Sequence, residues 1–248
     1  MNFDPQALIL WADDGLIAVN KPAGLPVLPD GYHPEAPHLR SVLQPVYGRL
    51  WIVHRLDKET SGIALLARTA KAHQALNTQF QERQVIKVYH TLVAGTPTWQ
   101  ERVVDEPLLP DGDRKHRTII EALRGKPART QLRVLERFQD YTLLEARPKT
   151  GRAHQIRAHL AHLDYPILGD RLYGGGDGLY LSMLKPGFRG GINGECSILG
   201  RVGLHAWSLE FLHPTNEDKL SLIAPYPKDF SGALKQLRKY QPRDIPLY

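Results

Sequence analysis

A single cysteine, Cys196, stands among 248 residues, which excludes an internal disulfide framework and any multi-cysteine zinc site. Long apolar runs are also missing: no stretch reaches the roughly 20 residues needed to span a bilayer as a helix. The start, MNFDPQALILWADD, lacks the basic, apolar and small-residue regions of a secretory signal. These absences lead to the expectation of a soluble, cytoplasmic protein in a reducing compartment. Charge of one sign is not scarce, but it is only moderately unbalanced. Lys and Arg number 32 against 26 Asp and Glu, for a net +6. Such an excess suits a polyanionic partner without requiring one. The length suits one large domain or two small ones and suffices to bury a substantial core.

Hydrophobic period and turn residues organise the chain. Leu16–Val19 reads as a short strand stopped by Asn20-Lys21-Pro22-Ala23-Gly24. Residues 25–49 contain five prolines and read as a long connection. Thr69 is placed to cap a helix in which Ala72, Leu76 and Phe80 recur every four residues. Residues 85–94 alternate as a strand, with Tyr89 on the face that carries Lys87 and Thr91. Two further strands, 129–137 and 141–146, flank a turn at Gln139-Asp140. Strands that alternate with two or three helices predict an α+β fold on a mostly antiparallel sheet.

The segment Val53-His54-Arg55-Leu56-Asp57-Lys58-Glu59-Thr60-Ser61-Gly62 sets one carboxylate between cations, in a polar turn between two apolar runs. An aspartate there either bonds nearby backbone N–H groups or serves as a reactive group presented by a rigid scaffold. A second polar segment, Thr150 to His159, opens a predicted helix with Thr150 as its cap and Ile156, Leu160 and Leu163 as its core stripe. Arg157 lies one step off the stripe, with Ala153 and Ala161 a turn away on either side. Arg152 near the helix start opposes the macrodipole, a conflict that a phosphate would relieve. His154, His159 and His162 lack acidic or cysteine partners at metal-ligand spacing, so no metal is expected.

Six motifs then follow one another in order: Asn20–Leu25, His54–Asp57 with Thr60–Gly62, Lys87–Tyr89, Thr150–Arg157, Pro166–Asp170 and Leu204–Trp207. Together they resemble the RluA-type RNA pseudouridine synthases over roughly residues 15–230. The resemblance implies a pseudouridine synthase-like catalytic fold with a central cleft, and no metal or organic cofactor. It also implies that Asp57 is the catalytic aspartate, Tyr89 the active-site tyrosine and Arg157 the arginine that pairs with the aspartate. Arg55 matches the residue that helps displace the target base, and Leu168 one that lines the uracil pocket. Lys21, Lys87 and Arg152 are expected to contact substrate as well. Ala153 and Leu28 depart from the family pattern without touching these groups.

On this resemblance the chain is one catalytic domain, residues 1–248, without a separate S4-like domain. Its glycine-rich segment, about 174–203 with ten glycines, reads as a mobile excursion. The expected partner is RNA, either tRNA or rRNA, with no membrane and the protein a monomer. A catalytically silent RNA-binding module and a metal-dependent nuclease are the competing classes. The intact Asp57, Tyr89 and Arg157 set argues against the first. Attack at ribose C1′, glycal formation and addition to the base all remain open as routes.

Overall fold

The computed structural model describes residues 3–29, 31, 33–185, 187–188 and 196–243. Two compact units emerge from the packing: residues up to Val88 with His205–Pro225, and Tyr89–Leu204 with the chain from Tyr226 onward. The first opens with β1 (Ile9–Ala12), β2 (Leu16–Lys21), α1 (Leu39–Tyr47), β3 (Trp51–Ile52), β4 (Ser61–Ala67) and α2 (Ala70–Gln81). β5 (Ile86–Ala94) carries the chain into the second unit, followed by β6 (Glu101–Asp105), β7 (Leu108–Leu109) and β8 (Ile119–Ile120). Next come β9 (Arg129–Arg137), β10 (Tyr141–Pro148), α3 (Gln155–His162) and α4 (Leu181–Leu184). β11 (Leu204–Leu212) and β12 (Lys219–Ile223) return to the first unit, and α5 (Lys228–Tyr240) closes the second.

In the first unit the strands run in the order β1-β2-β4-β11, with β12 added to β11 and β3 added to β4. Every pairing is antiparallel except β4 with β11, which is parallel and short, joining Ser61 to His205 and Gly62 to Ala206. That contact requires a glycine. Gly62 has φ +111°, and a Cβ on it would lie 2.2 Å from the Ala206 carbonyl oxygen. Beneath the sheet, Leu16, Ala18, Ile63 and Leu65 pack against Ala72 and Leu76 of α2. The predicted cap of α2 is present, with Thr69 Oγ1 accepting from the Ala72 N–H at 3.1 Å.

The second unit is built on β5-β10-β9-β6, all antiparallel. Alternation gives its sheet two covered faces. Leu132, Val134, Leu144 and Ala146 meet Ile156 and Leu160 of α3 on one face. Leu143 and Leu92 meet Phe230, Leu234 and Leu237 of α5 on the other. The expected α+β architecture with a mostly antiparallel sheet is what the chain adopts.

Three local expectations need correction. The stretch read as connection 25–49 contains α1, because His38 and Ser41 form a reciprocal cap and Leu39 and Leu43 bury one face. Pro45 is tolerated inside α1, near its C-terminal end. Thr150 does not cap α3; that position is His154, at φ +50°, while Thr150 Oγ1 bonds the Gln155 amide oxygen at 2.7 Å. The flanks of the glycine-rich segment are anchored, since Leu179, Leu184 and Leu199 are buried in the core beneath α5. Leu179 and Leu199 also form a β-bridge, and a Cβ on Gly175 would fall 1.6 Å from the Ile167 carbonyl oxygen. The centre of that segment, 189–195, lies outside the described residues.

Candidate active site

Asp57 sits half-buried between β3 and β4 on a turn fixed by its main chain. The Thr60 N–H donates to the Asp57 carbonyl at 3.1 Å, and the Gly24 N–H donates to the Lys58 carbonyl at 2.8 Å. Leu56 and Thr60, on either side, are buried. His54 locks the entrance: its Nε2 accepts from the Leu65 N–H at 3.0 Å, and its ring stacks on Phe80 with centroids 4.7 Å apart. That bond fixes the neutral tautomer with its proton on Nδ1. Burial, helped by the charge of Lys87, lowers the His54 pKa to about 3. The exit is locked through Ser61, whose hydroxyl bonds His205 Nδ1 at 2.9 Å. His205 Nε2 in turn lies 3.1 Å from the Ala224 carbonyl.

Lys21 overturns its expected role. Its side chain has no exposed surface, and Nζ donates to the carbonyls of Pro22, Leu25 and Lys58 at 2.9, 2.8 and 3.1 Å. It fastens the 21–25 turn to the Asp57 turn and does not face an RNA backbone. The cations that do reach solvent from this region are Arg55 and Lys58. Lys87 on β5 is partly buried, and burial with the nearby charge of Arg83 lowers its pKa to about 8.

In the second unit Arg157 is buried on α3 and forks onto Asp170, with Nε 2.7 Å from Oδ2 and Nη2 2.9 Å from Oδ1. Its guanidinium also lies over the Tyr173 ring, 5.0 Å from the centroid. Burial raises the pKa of the Tyr173 hydroxyl. Tyr89 is half-buried on β5 opposite Ala146, and packs against the same cluster as Ile156 and Leu160. Tyr89 and the helix that bears Arg157 therefore share one sheet face. Leu168 is buried in the cluster beneath α5, its N–H bonded to the Leu92 carbonyl at 2.9 Å. Arg152 lies along the surface with Nε donating to the Pro127 carbonyl at 3.1 Å. His159 is buried and bonded to Thr130 Oγ1 and the Glu106 carbonyl.

Asp170 and Tyr173 are the residues that sequence reasoning overlooked. Asp170 stood within a quoted motif, but nothing in linear spacing tied it to Arg157, 13 positions earlier. An arginine one step off the core stripe of a predicted helix was the available signal, since a charge drawn in beside that stripe requires a partner.

A family model described as RNA pseudouridylate synthase matches residues 15–162. The chain belongs to the RNA pseudouridylate synthase family. It is thus an RNA-directed isomerase by class. Ribosomal large subunit pseudouridine synthase D of Haemophilus ducreyi is 35% identical over 264 residues, covering 100% of this chain and 77% of that protein. Its counterpart in Xylella fastidiosa is 38% identical, covering 93% and 69%. Ribosomal large subunit pseudouridine synthase C of Vibrio cholerae is 36% identical with the same coverage. Among solved structures, human RNA pseudouridylate synthase domain containing 4 superposes with a TM-score of 0.73 at 29% identity, covering 94% of this chain and 95% of that one. No helix among the described residues of the synthase is long and apolar enough to cross a membrane.

Proposed function

We propose that this synthase converts a uridine of large-subunit rRNA into pseudouridine, with Asp57 as the reacting carboxylate. The observation that carries the reading is a half-buried aspartate on a turn immobilised at both ends, inside a chain whose relatives are named ribosomal large subunit pseudouridine synthases. The reaction breaks the bond from C1′ to N1, rotates the base and joins C1′ to C5; C5 gives up a proton and N1 gains one. No oxidant or water is consumed. A carboxylate serves every route, by attack at C1′, removal of a ribose proton or addition to the ring.

Arg157 is the cation that the family resemblance assigns to the reaction, and within its own unit its fork on Asp170 and seat on Tyr173 keep it in one rotamer. Tyr89 stacks on the uracil and excludes water. The target nucleotide must leave its stack to be reached, at a cost of a few kcal/mol, roughly. Arg55, exposed beside the Asp57 turn, fills the vacated space. Backbone contacts through exposed Arg and Lys make binding weaken with salt.

The test is incubation of the protein with large-subunit rRNA and, separately, with tRNA, both lacking the modification, followed by pseudouridine mapping. Product at discrete rRNA positions is expected, and none with Asp57→Asn although RNA still binds. Product in tRNA alone would overturn the ribosomal assignment. Product in neither RNA would overturn the reaction.

A further inference from the structure

Tyr173 is a joint where three parts of the second unit meet. Its hydroxyl accepts from the Thr118 N–H at 2.8 Å and donates to the Thr118 carbonyl at 3.2 Å. It also lies 3.2 Å from Nδ1 of His154. With its one proton given to Thr118, the hydroxyl accepts from His154, so that Nδ1 carries the hydrogen. The ring lies beneath the Arg157 guanidinium and packs with Leu108 and Ala158. Asp170 completes the assembly: its carboxylate holds Arg157 and also accepts from the Tyr173 N–H at 3.3 Å.

Each of these contacts leads somewhere. Thr118 ends the loop of the β7–β8 hairpin, and that loop is stiff. Asp113 accepts from the N–H groups of Lys115 and Arg117 and from Arg117 Nε, while the Gly112 N–H bonds the Arg117 carbonyl. Its outer edge carries exposed Arg114 and Lys115. His154 is the cap of α3 in a left-handed conformation, a backbone state costing about 1–3 kcal/mol for a residue other than glycine. Such strain persists only where surroundings hold it, and the Tyr173 hydroxyl is part of that hold. Arg157 follows three residues later. A basic hairpin, a strained helix cap and a buried arginine therefore bear on one phenol.

We infer that Tyr173 is a positioning residue that transmits the seating of the β7–β8 hairpin on an RNA backbone to the Arg157 guanidinium. This rests on the reading that Arg157 serves the reaction. RNA phosphates pull on Arg114 and Lys115, the stiff loop carries the displacement to Thr118, and the phenol passes it to the α3 cap and to Arg157. Hairpin engagement then sets turnover as well as affinity.

Tyr173→Phe keeps the ring under the guanidinium and removes the hydroxyl. The single-turnover rate at saturating RNA is expected to fall about tenfold to hundredfold, the scale of a small misplacement of a catalytic group. RNA affinity should change by less than about twofold, because the phenol is buried. The surface double variant Arg114→Ala/Lys115→Ala should bind RNA more weakly and also turn over more slowly at saturation. Combined with Tyr173→Phe, it should add no further loss of rate. A wild-type rate in Tyr173→Phe, or rate losses that multiply in the combined protein, would overturn the inference. If Tyr173→Phe fails to fold, the hairpin variant decides alone, and an effect confined to affinity counts against the joint. A readout independent of activity is the NMR signal of the Arg157 Nε–H. It should shift when RNA binds the unmodified protein and shift by clearly less in the hairpin variant at saturating RNA. That shift without any pseudouridine would leave the joint standing while removing the proposed reaction; no shift in the unmodified protein would remove the joint.

Discussion

The Arg157 guanidinium meets the Asp170 carboxylate edge to edge, two nitrogens on two oxygens at 2.7 and 2.9 Å, with both side chains withdrawn from solvent. A pair of this kind is expensive to break from one side, by about 3–5 kcal/mol, because the remaining charge stays buried. Asp170→Asn is therefore expected to lower the urea midpoint. It should also slow single-turnover pseudouridine formation by about tenfold or more at temperatures where the variant remains folded. An unchanged rate would mean that the orientation of Arg157 does not matter to the reaction.

Lys21 makes the opposite kind of prediction. Lys21→Met leaves the carbonyls of Pro22, Leu25 and Lys58 without their ammonium donor, a loss of about 1–3 kcal/mol. Since the ammonium touches no solvent, the salt dependence of RNA binding should keep its slope. A slope reduced by about one phosphate contact would restore Lys21 to the RNA interface.

Gly62→Ala tests the register between β4 and β11. The added methyl would lie 2.2 Å from a main-chain oxygen, at a φ that alanine rarely adopts. Destabilisation of about 3 kcal/mol or more is expected, read from urea denaturation. A loss below about 1 kcal/mol would show that the two strands separate easily.

Lys87 gives a pH dependence whose sign follows from its shift. Its folded pKa, about 8, lies below its ordinary value of 10.5 because the charged form is buried near Arg83. Between those values the unfolded chain binds more protons, so this group makes stability rise as pH climbs from about 8 towards 10.5. Lys87→Met should accordingly be more stable than the unmodified protein at pH 7, with its advantage shrinking by pH 10. A constant difference across that range would contradict the shift.

How much of this was legible beforehand depends on how local each feature is. The α2 cap, the alternation of β5, β9 and β10, and the Gln139-Asp140 turn were readable because caps and periods act within a few residues. α1 was missed because five prolines in 25–49 outweighed a His38–Ser41 cap, in which histidine replaces the usual small polar residue. α5 went unread, although Phe230, Ala233, Leu234 and Leu237 stand at helical spacing on its buried face. The glycine-rich segment was misjudged in part, since glycine permits either freedom or close approach. Gly175 serves the second.

The sequence alone determined the family, the α+β class and the identity of the carboxylate proposed to react, because motif order and hydrophobic period are properties of the chain itself. Tertiary structure alone decided what the cations do. Lys21 faces three carbonyls, Lys87 loses part of its basicity to burial, and Arg157 forks onto Asp170. A charge takes its role from the dielectric and the partners around it, and those are assembled from residues distant in sequence.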